Sequence, residues 1–276
     1  MRRARAHAKI NLGLVVGPVR GDGKHEILTV LQRVGVHDDV ELAPADELTI
    51  EGFAEDTIVR RALESLAVSA RVEPRWRTRI EKRIPVAAGL GGGSSDAATA
   101  LLLANAELSE PLDARALHGV AATVGADVPF FLREGTQVAS AEGTELTAVE
   151  LPLDYHVALV VPHAETKAST AAVYETFDER GGADDFPERA AAFHRALESI
   201  ADARDLARLP ANDLASSAIS RELVAAGAFR ADVSGAGPVV YGLFDQVDDA
   251  IEAASGLAHA GPTIVTRPLQ AAVDLA

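Results

Sequence analysis

The sequence predicts a chain of mixed α and β structure in two lobes, with a β-rich first lobe. The chain has 276 residues, a length at which one large core commonly divides into two domains. Short alternating or continuous apolar runs predict strands, and apolar residues at helical spacing predict helices between and after them. Apolar residues make up 48% and charged residues 24%, which is typical of globular proteins and excludes a disordered or fibrous chain.

The first lobe is predicted to begin with strands. The first covers Ala8 to Val16, and glycines and a proline predict a loop over residues 17–23. Further strand patterns lie at residues 25–34, 40–42, 48–50 and 77–84. Pro85 closes the last of these strands.

Helices are predicted in both halves, at residues 58–70, 96–108, 113–124, 190–201, 214–226 and 247–258. Short apolar runs predict buried strands at 157–161 and 239–244. We place the boundary between the lobes just before the first of these two strands, which divides the chain into residues 1–152 and 153–276.

The charge balance indicates which partners to expect. With 26 basic and 41 acidic residues the net charge is −15, which argues against a general nucleic-acid binder. A local basic site for a nucleotide is compatible with this balance, because net charge does not describe the field inside one cleft.

Composition also bears on the compartment. The chain has no cysteine, so it has neither a disulfide framework nor a thiolate metal site, as expected in a reducing compartment. Arg2, Arg3 and Arg5 resemble the start of a secretory signal, but Lys9 and Asn11 interrupt the apolar region that should follow. No apolar run approaches the roughly 18 residues of a membrane helix. We expect a cytoplasmic protein without a membrane or nucleic-acid partner.

The most informative segment lies between a predicted strand and a predicted helix, and it reads PVAAGLGGGSSDAA from Pro85 to Ala98. Its glycines allow the backbone to approach a ligand closely, and the following helix would point free N–H groups and its positive dipole end at the loop. Ser94 and Ser95 either cap that helix or place a hydroxyl on phosphate or magnesium. The segment matches neither the Walker nor the dinucleotide-binding pattern, and a glycine loop alone is more often a plain turn.

Three further segments are candidates with simpler alternatives. Asp127 stands between a glycine turn and an apolar stretch, where it is either a general base or a turn-capping residue. Lys9 interrupts an apolar strand, so it faces either a polar cavity or solvent. Residues 234–237, with sequence SGAG, form either a second glycine turn near phosphates or a tight start to a strand.

Together these segments identify the chain as similar to the GHMP kinases. The resemblance rests on the Lys9 strand, the loop from Pro85, the GADVPFF stretch at residues 125–131 and the late SGAG loop. It spans nearly the whole chain. It implies an α+β, two-lobed GHMP kinase fold, with a left-handed β-α-β unit in the N-terminal lobe and a ferredoxin-like C-terminal lobe. General topology rules favour the opposite hand for such a unit, so this feature rests on the resemblance alone.

The resemblance also implies the roles of residues. ATP with Mg²⁺ is expected as the phosphoryl donor, Asp127 as the base and Lys9 as its partner; the metal ligands are unknown. Nucleotide contacts are expected from the glycine-rich loop, at Pro85, Ala88, Gly89, Leu90, Gly91, Gly92, Gly93, Ser94 and Ser95. Contacts to an acceptor that is a cytidyl diphosphate-linked polyol are expected from Asn11, Lys24, His25, Thr170, Tyr174 and Gly235.

Two positions depart from the family pattern. Lys24 stands where an aromatic residue usually stacks on the cytosine, and Ala236 stands where a hydroxyl residue is common. Two other functions are open at this point: a GHMP kinase for homoserine, mevalonate or a sugar, and a nucleotide-binding protein without catalysis.

Overall fold

A computed structural model describes residues 1–53, 57–163 and 169–270. A long antiparallel hairpin dominates its first half, formed by β1 (Arg2–Val19) and β2 (His25–Pro44). The predicted loop at residues 17–23 is therefore shorter, because β1 continues to Val19. The two strands predicted at 25–34 and 40–42 are one strand, since residues 37–39 pair with β1 although their polar side chains hide the apolar alternation.

The first sheet has six strands. Its other members are β3 (Thr49–Glu51), β4 (Trp76–Glu81), β5 (Thr136–Ser140) and β6 (Glu145–Val149), in the order β3-β4-β2-β5-β6 with β1 paired to β2. β4 ends at Glu81 and not at residue 84, because the amides of Arg83 and Ile84 donate to Asp38 Oδ1 instead of to a neighbouring strand. β5 and β6 carry polar residues among their apolar ones and were not predicted.

Helices α1 (Thr57–Ala70), α2 (Gly92–Asn105), α3 (Ala114–Val124) and α4 (Val128–Phe131) belong to this half. β3 and β4 are parallel neighbours, and α1 connects them in a β-α-β unit. α2 is buried on nearly every side and contacts α1, β1 and β2, which explains its run of alanines and leucines. This helix places its N-terminus at the centre of the molecule.

The second half forms a four-stranded antiparallel sheet of β7 (His156–Val160), β8 (Arg230–Val233), β9 (Val240–Phe244) and β10 (Thr263–Thr266). The strand order β10-β7-β9-β8 is that of a ferredoxin-like sheet. Its helices are α5 (Thr170–Glu179), α6 (Phe186–Glu198), α7 (Ala218–Ala225) and α8 (Val247–Gly256), with a 3₁₀ helix at Ala203–Arg208.

Some helix boundaries differ from the sequence prediction. α7 begins at Ala218 and not at residue 214, because the Ser217 hydroxyl caps it by accepting the Ile219 N–H. α6 begins at Phe186, four residues earlier than predicted, and α5 was not predicted. Within the described ranges no helix is long and apolar enough to cross a bilayer.

The two sheets share one apolar core. Side chains of β1, including Ala8, Ile10 and Leu12, are buried with Val157 of β7 and Tyr241 of β9. The core continues beneath the loop that precedes α2, where Ile84, Ala88 and Leu90 are buried. The open cleft of the molecule lies above this junction.

Candidate active site

The cleft has a volume of about 580 Å³. It lies between the N-terminus of α2, the middle of β1, the N-terminus of α4 and the start of α5. The described residues that line it are Lys9, Asn11, Leu14, Ile27, Phe53, Ile58, Lys82, Pro85, Val86, Ala87, Ala88, Gly89, Gly91, Gly92, Gly93, Ser94, Ala126, Asp127, Glu142, Thr170, Tyr174, Leu214, Gly235, Ala236 and Gly237.

The glycine-rich loop turns into α2 at the floor of the cleft. Gly91 has a φ of 70°, and α2 begins directly after it, at Gly92. The helix thus starts four residues earlier than predicted, and Ser94 and Ser95 lie inside its first turn. Neither serine caps the helix, so that interpretation is wrong. The first amides of α2 have no acceptor within the helix and lie beside the cleft, an arrangement that favours an anion such as phosphate.

A second glycine loop supports the first. At Gly89 the φ is 83°, and a Cβ there would lie only 2.2 Å from the carbonyl oxygen of Ser234. The Ser234 hydroxyl donates to the Gly89 carbonyl at 2.9 Å, and the Val239 amide donates to the Ala88 carbonyl at 3.1 Å. Only glycine permits this backbone contact, which fixes the loop before α2 on the second sheet.

Lys9 is the buried cation of the cleft. It lies on β1 with its side chain only 4% exposed, and its Nζ is 3.5 Å from Asp127 Oδ2. Nζ also donates to Asn11 Oδ1 at 2.7 Å, and Asn11 Nδ2 donates to the Thr29 hydroxyl at 2.9 Å. Lys9 therefore does not lie on a solvated strand face, and a chain of hydrogen bonds holds its ammonium group beside the carboxylate.

Asp127 precedes the short helix α4. Its side chain is 38% exposed, so it is partly buried as a general base should be. It makes no capping hydrogen bond to α4, which argues against the interpretation as a turn-capping residue. Its carboxylate lies on the cleft, beside the ammonium group of Lys9.

A second buried lysine lies under the loop. Lys82 Nζ donates to Asp38 Oδ2 at 2.6 Å and to Asp96 Oδ2 at 2.7 Å. Burial raises the pKa of Asp96 to about 8, although the positive charge of Lys82 acts to lower it. Burial alone would lower the pKa of Lys82, but Asp96 and Asp38 raise it above its usual value. This cluster joins the residue after β4 to the start of α2, and it could not be predicted because no spacing in the sequence connects its three residues.

The other end of the cleft is formed by Thr170 and Tyr174 of α5, with His25, the first residue of β2, behind Tyr174. The His25 and Tyr174 rings stack with their centroids 4.7 Å apart, and His25 Nε2 is hydrogen-bonded to Asp178 Oδ1 at 2.8 Å. Burial, with the carboxylate of Asp127, raises the pKa of Tyr174 to about 12, so its hydroxyl stays protonated near neutral pH. Thr170 is the first residue of α5.

The structure brings most of the predicted residues to one cleft. Among the described residues four predicted ones do not line it: Leu90 and Ser95 are buried, Lys24 is exposed in its turn, and His25 lies behind Tyr174. Leu90 contributes its carbonyl, which accepts the Lys9 N–H at 2.9 Å. The cleft also has apolar walls that the motifs did not indicate, including Phe53 and Ile58.

Comparisons with known proteins agree with this geometry. The family model described as "GHMP kinases N terminal domain" matches residues 57–135. A 4-diphosphocytidyl-2-C-methyl-D-erythritol kinase from Rhodococcus jostii is 38% identical over 93% of this chain and 88% of its own. One from Geobacter sulfurreducens is 37% identical over 91% of this chain and 92% of its own.

Solved structures agree as well. The crystal structure of a 4-(cytidine 5'-diphospho)-2C-methyl-D-erythritol kinase superposes with a TM-score of 0.78 at 29% identity, covering 98% of this chain and all of that one. A homoserine kinase from Cytophaga hutchinsonii superposes with a TM-score of 0.73 at 16% identity, covering 100% and 97%, and this second likeness concerns the fold alone. The fold and the relatives define a phosphotransferase. The chain belongs to the GHMP kinase family, in the group of 4-diphosphocytidyl-2-C-methyl-D-erythritol kinases.

Proposed function

We propose that this protein transfers the γ-phosphoryl group of ATP to the 2-hydroxyl of 4-diphosphocytidyl-2-C-methyl-D-erythritol, a step of the non-mevalonate route to isoprenoid precursors. The names of the relatives support this substrate. The observation that carries the proposal is the ion pair between Lys9 Nζ and Asp127 Oδ2, 3.5 Å apart, in the same cleft as the N-terminus of α2.

The loop before α2 is proposed to hold the phosphates of ATP. The amides of Gly92, Gly93 and Ser94 begin the helix and have no acceptor within it, and the helix dipole adds a positive field at the same place. Because backbone groups held by a buried helix need no rearrangement, they can offset the charge of the transferred group throughout the reaction.

Asp127 is proposed to act as the general base. It would accept the proton of the attacking hydroxyl while that oxygen bonds to the γ-phosphorus and ADP departs. Lys9, which is paired with that carboxylate, would offset charge on the phosphoryl group during the transfer. The Lys9–Asn11–Thr29 hydrogen bonds would keep the ammonium group in place.

The loop is compatible with magnesium as the metal that accompanies ATP. Magnesium usually keeps several waters and takes few protein ligands beside phosphate oxygens. The described residues hold no cluster of three or more metal-binding side chains, while the Ser94 hydroxyl is an oxygen donor on the cleft. Ser94 would thus hold the metal, which would supply charge neutralisation at the phosphates.

The cytidyl group is proposed to lie at the α5 end of the cleft. Tyr174 offers an aromatic face, and Asn11, Thr170 and Gly235 line the same cleft. Lys24, in the turn before β2, and His25, the first residue of β2, would also contribute. We further propose that the lobes divide between residues 152 and 153, in the segment between β6 and β7, and that the reaction takes place in the cytoplasm.

A panel of acceptor alcohols tests this function. ADP release would be measured with 4-diphosphocytidyl-2-C-methyl-D-erythritol, homoserine, mevalonate and a hexose at equal concentration. We expect turnover with the first compound and at most background rates with the others. Turnover with another acceptor would identify a different GHMP kinase, and ATP binding without turnover on any acceptor would identify a non-catalytic nucleotide-binding protein.

A further inference from the structure

Arg33 is a buried cation to which no role has been assigned so far. It lies on β2 and is fully buried, at 0% exposure. Burial lowers the pKa of Arg33 to about 10, against an opposing effect of Glu134, so the guanidinium remains charged at neutral pH. A buried charge is costly unless its surroundings offset it, which makes its contacts informative.

Those contacts are at the C-terminal end of α4. Nη2 of Arg33 donates to the carbonyl of Arg133 at 3.0 Å, with longer contacts of 3.5 Å to the carbonyls of Phe130 and Phe131. The guanidinium carbon lies 5.0 Å from the ring centroid of Phe130 and 5.9 Å from that of Phe131. The last carbonyls of a helix accept few hydrogen bonds within it and carry its negative dipole end, so a cation there is favourable.

The strand register connects Arg33 to the proposed catalytic pair. Arg33 of β2 is directly opposite Lys9 of β1, and opposed residues of an antiparallel pair project from the same face. Lys9 contacts Asp127, which immediately precedes α4, and Arg33 contacts the residues that end α4. Two adjacent cations therefore hold the two ends of one four-residue helix.

α4 depends on such contacts, because a single helical turn is not stable by itself and Asp127 makes no capping bond to it. The phosphate loop also rests on α4: a Cβ at Gly91 would lie 2.9 Å from Phe131 Cζ. A shift of α4 would thus move the carboxylate of Asp127 relative to the loop.

We infer that Arg33 is a positioning residue for phosphoryl transfer, which sets the place of Asp127 by holding the far end of α4. The inference rests on the proposed role of Asp127 as base. A purely structural role would make Arg33 resemble Arg230, a buried arginine with 7% exposure that donates to the carbonyls of Leu206, Leu209 and Pro210 and lies 3.4 Å from Asp232 Oδ2. Arg230 is therefore the matched control.

The test compares Arg33→Lys, Arg33→Met and Arg230→Lys. Rates are measured well below the melting temperature of each variant, with ATP affinity from calorimetry. Since a misplacement of about 1 Å can cost 10²-fold, we expect kcat of Arg33→Lys to fall about 10- to 100-fold, with the Kd for ATP changed less than about threefold. The fall in kcat should be larger in Arg33→Met than in Arg33→Lys. Arg230→Lys should lower the melting temperature and leave kcat unchanged. Arg33→Lys keeps the charge and most of the volume, so it carries the test if Arg33→Met does not fold.

A double-mutant cycle separates this inference from the proposed function. If Arg33 acts through Asp127, Arg33→Lys should lower kcat less than about threefold in the Asp127→Asn background, because coupled residues are not additive. A full multiplicative loss there, or an unchanged kcat in Arg33→Lys alone, would overturn the positioning role. If Asp127→Asn itself keeps its turnover, the base assignment has failed instead, and the positioning role fails with it.

Discussion

The two ends of the cleft are built differently. At the phosphate end the important groups are backbone amides at the start of a buried helix, a glycine loop joined to the second sheet by two hydrogen bonds, and a lysine whose side chain is only 4% exposed. At the α5 end, Lys24 is exposed in a turn, and His25 is held by Asp178, whose side chain is 46% exposed. The end proposed for phosphoryl transfer is built largely from packed backbone, whereas the end proposed for the nucleobase includes the exposed side chains of Lys24 and Asp178.

This difference explains where the chain can depart from its family pattern. Gly89 and Gly91 of the phosphate end leave no room for a side chain, because a Cβ would collide with the Ser234 carbonyl at the first and with Phe131 at the second. Lys24 is exposed in its turn, so the aromatic residue usual in the family can be replaced there without disturbing the core, and we propose that the replacement affects binding of the acceptor. We expect the same contrast in mutant kinetics: losses in kcat or ATP binding at the phosphate end, and changes in KM for the acceptor at the other.

The largest effect is expected at Asp127. Asp127→Asn keeps the size of the side chain but cannot accept a proton, so kcat should fall by about 10²- to 10⁴-fold, while calorimetric affinity for an ATP analogue stays near that of the wild type.

Asp113 provides the control for that experiment. It also precedes a helix, but its Oδ1 accepts the Ala116 N–H at 2.8 Å. Asp113→Ala should lower the free energy of unfolding by about 1 kcal/mol and leave kcat unchanged. Asp127→Ala should lower kcat and leave the free energy of unfolding unchanged. If the two variants behaved alike, Asp127 would be a structural residue and the contrast between the ends would disappear.

The next effect is expected in the loop. Gly93 has an ordinary φ, and a Cβ there would meet only Ile58 Cδ1, at 3.5 Å, so Gly93→Val adds bulk at the cleft without backbone strain. Affinity for ATP should fall at least about tenfold, since the side chain would obstruct the approach of phosphate to the helix N-terminus.

Gly119 of α3 is the matched control for this substitution. A Cβ there would meet no atom within 4 Å, so Gly119→Val places the same residue in a helix away from the cleft. ATP affinity should be unchanged in Gly119→Val, and the two melting temperatures should be similar. Unchanged affinity in a folded Gly93→Val variant would exclude the loop from the nucleotide site.

The phosphate end was also the easier end to predict from sequence. Glycines before an alanine-rich helix indicate a phosphate loop through local chemistry alone, and a lysine inside an apolar strand marks a buried polar site. The pairing of Lys9 with Asp127 could not be predicted from spacing, because it depends on how β1 packs on α4. The Asp38–Lys82–Asp96 cluster and the role of Arg33 were missed for the same reason, since they join distant segments.

Strand boundaries were harder to predict from the sequence, for another reason. β2 passes through His37, Asp38 and Asp39, whose polar side chains end the apolar alternation although the backbone pairing continues. Asp38 is fully buried, where it accepts the hydrogen bonds that end β4. A polar residue that organises neighbouring segments thus has the sequence appearance of a loop.

At the α5 end, Tyr174→Ala should raise KM for the cytidyl acceptor with little change in kcat. Stacking of a base on an aromatic ring contributes about 1–3 kcal/mol, which corresponds to roughly 5- to 150-fold in affinity. Tyr174→Phe is the control, because it keeps the ring and removes only the hydroxyl, and its KM should stay near the wild-type value. Equal KM in all three proteins would place the nucleobase elsewhere.

The smallest effect is expected at Lys24. Lys24→Tyr restores the aromatic residue usual in the family, but the His25 ring already stacks on Tyr174 and is held there by Asp178. A new ring would therefore add only part of the 1–3 kcal/mol of one stacking contact, and KM for the acceptor should fall less than about tenfold. Binding energy that is the same in the ground and transition states lowers KM without raising kcat, so kcat should not change. Lys24→Gln removes the charge without adding a ring, so KM for the acceptor should not fall in this variant. If KM fell equally in Lys24→Tyr and Lys24→Gln, the charge of Lys24, and not the missing ring, would limit binding at this end.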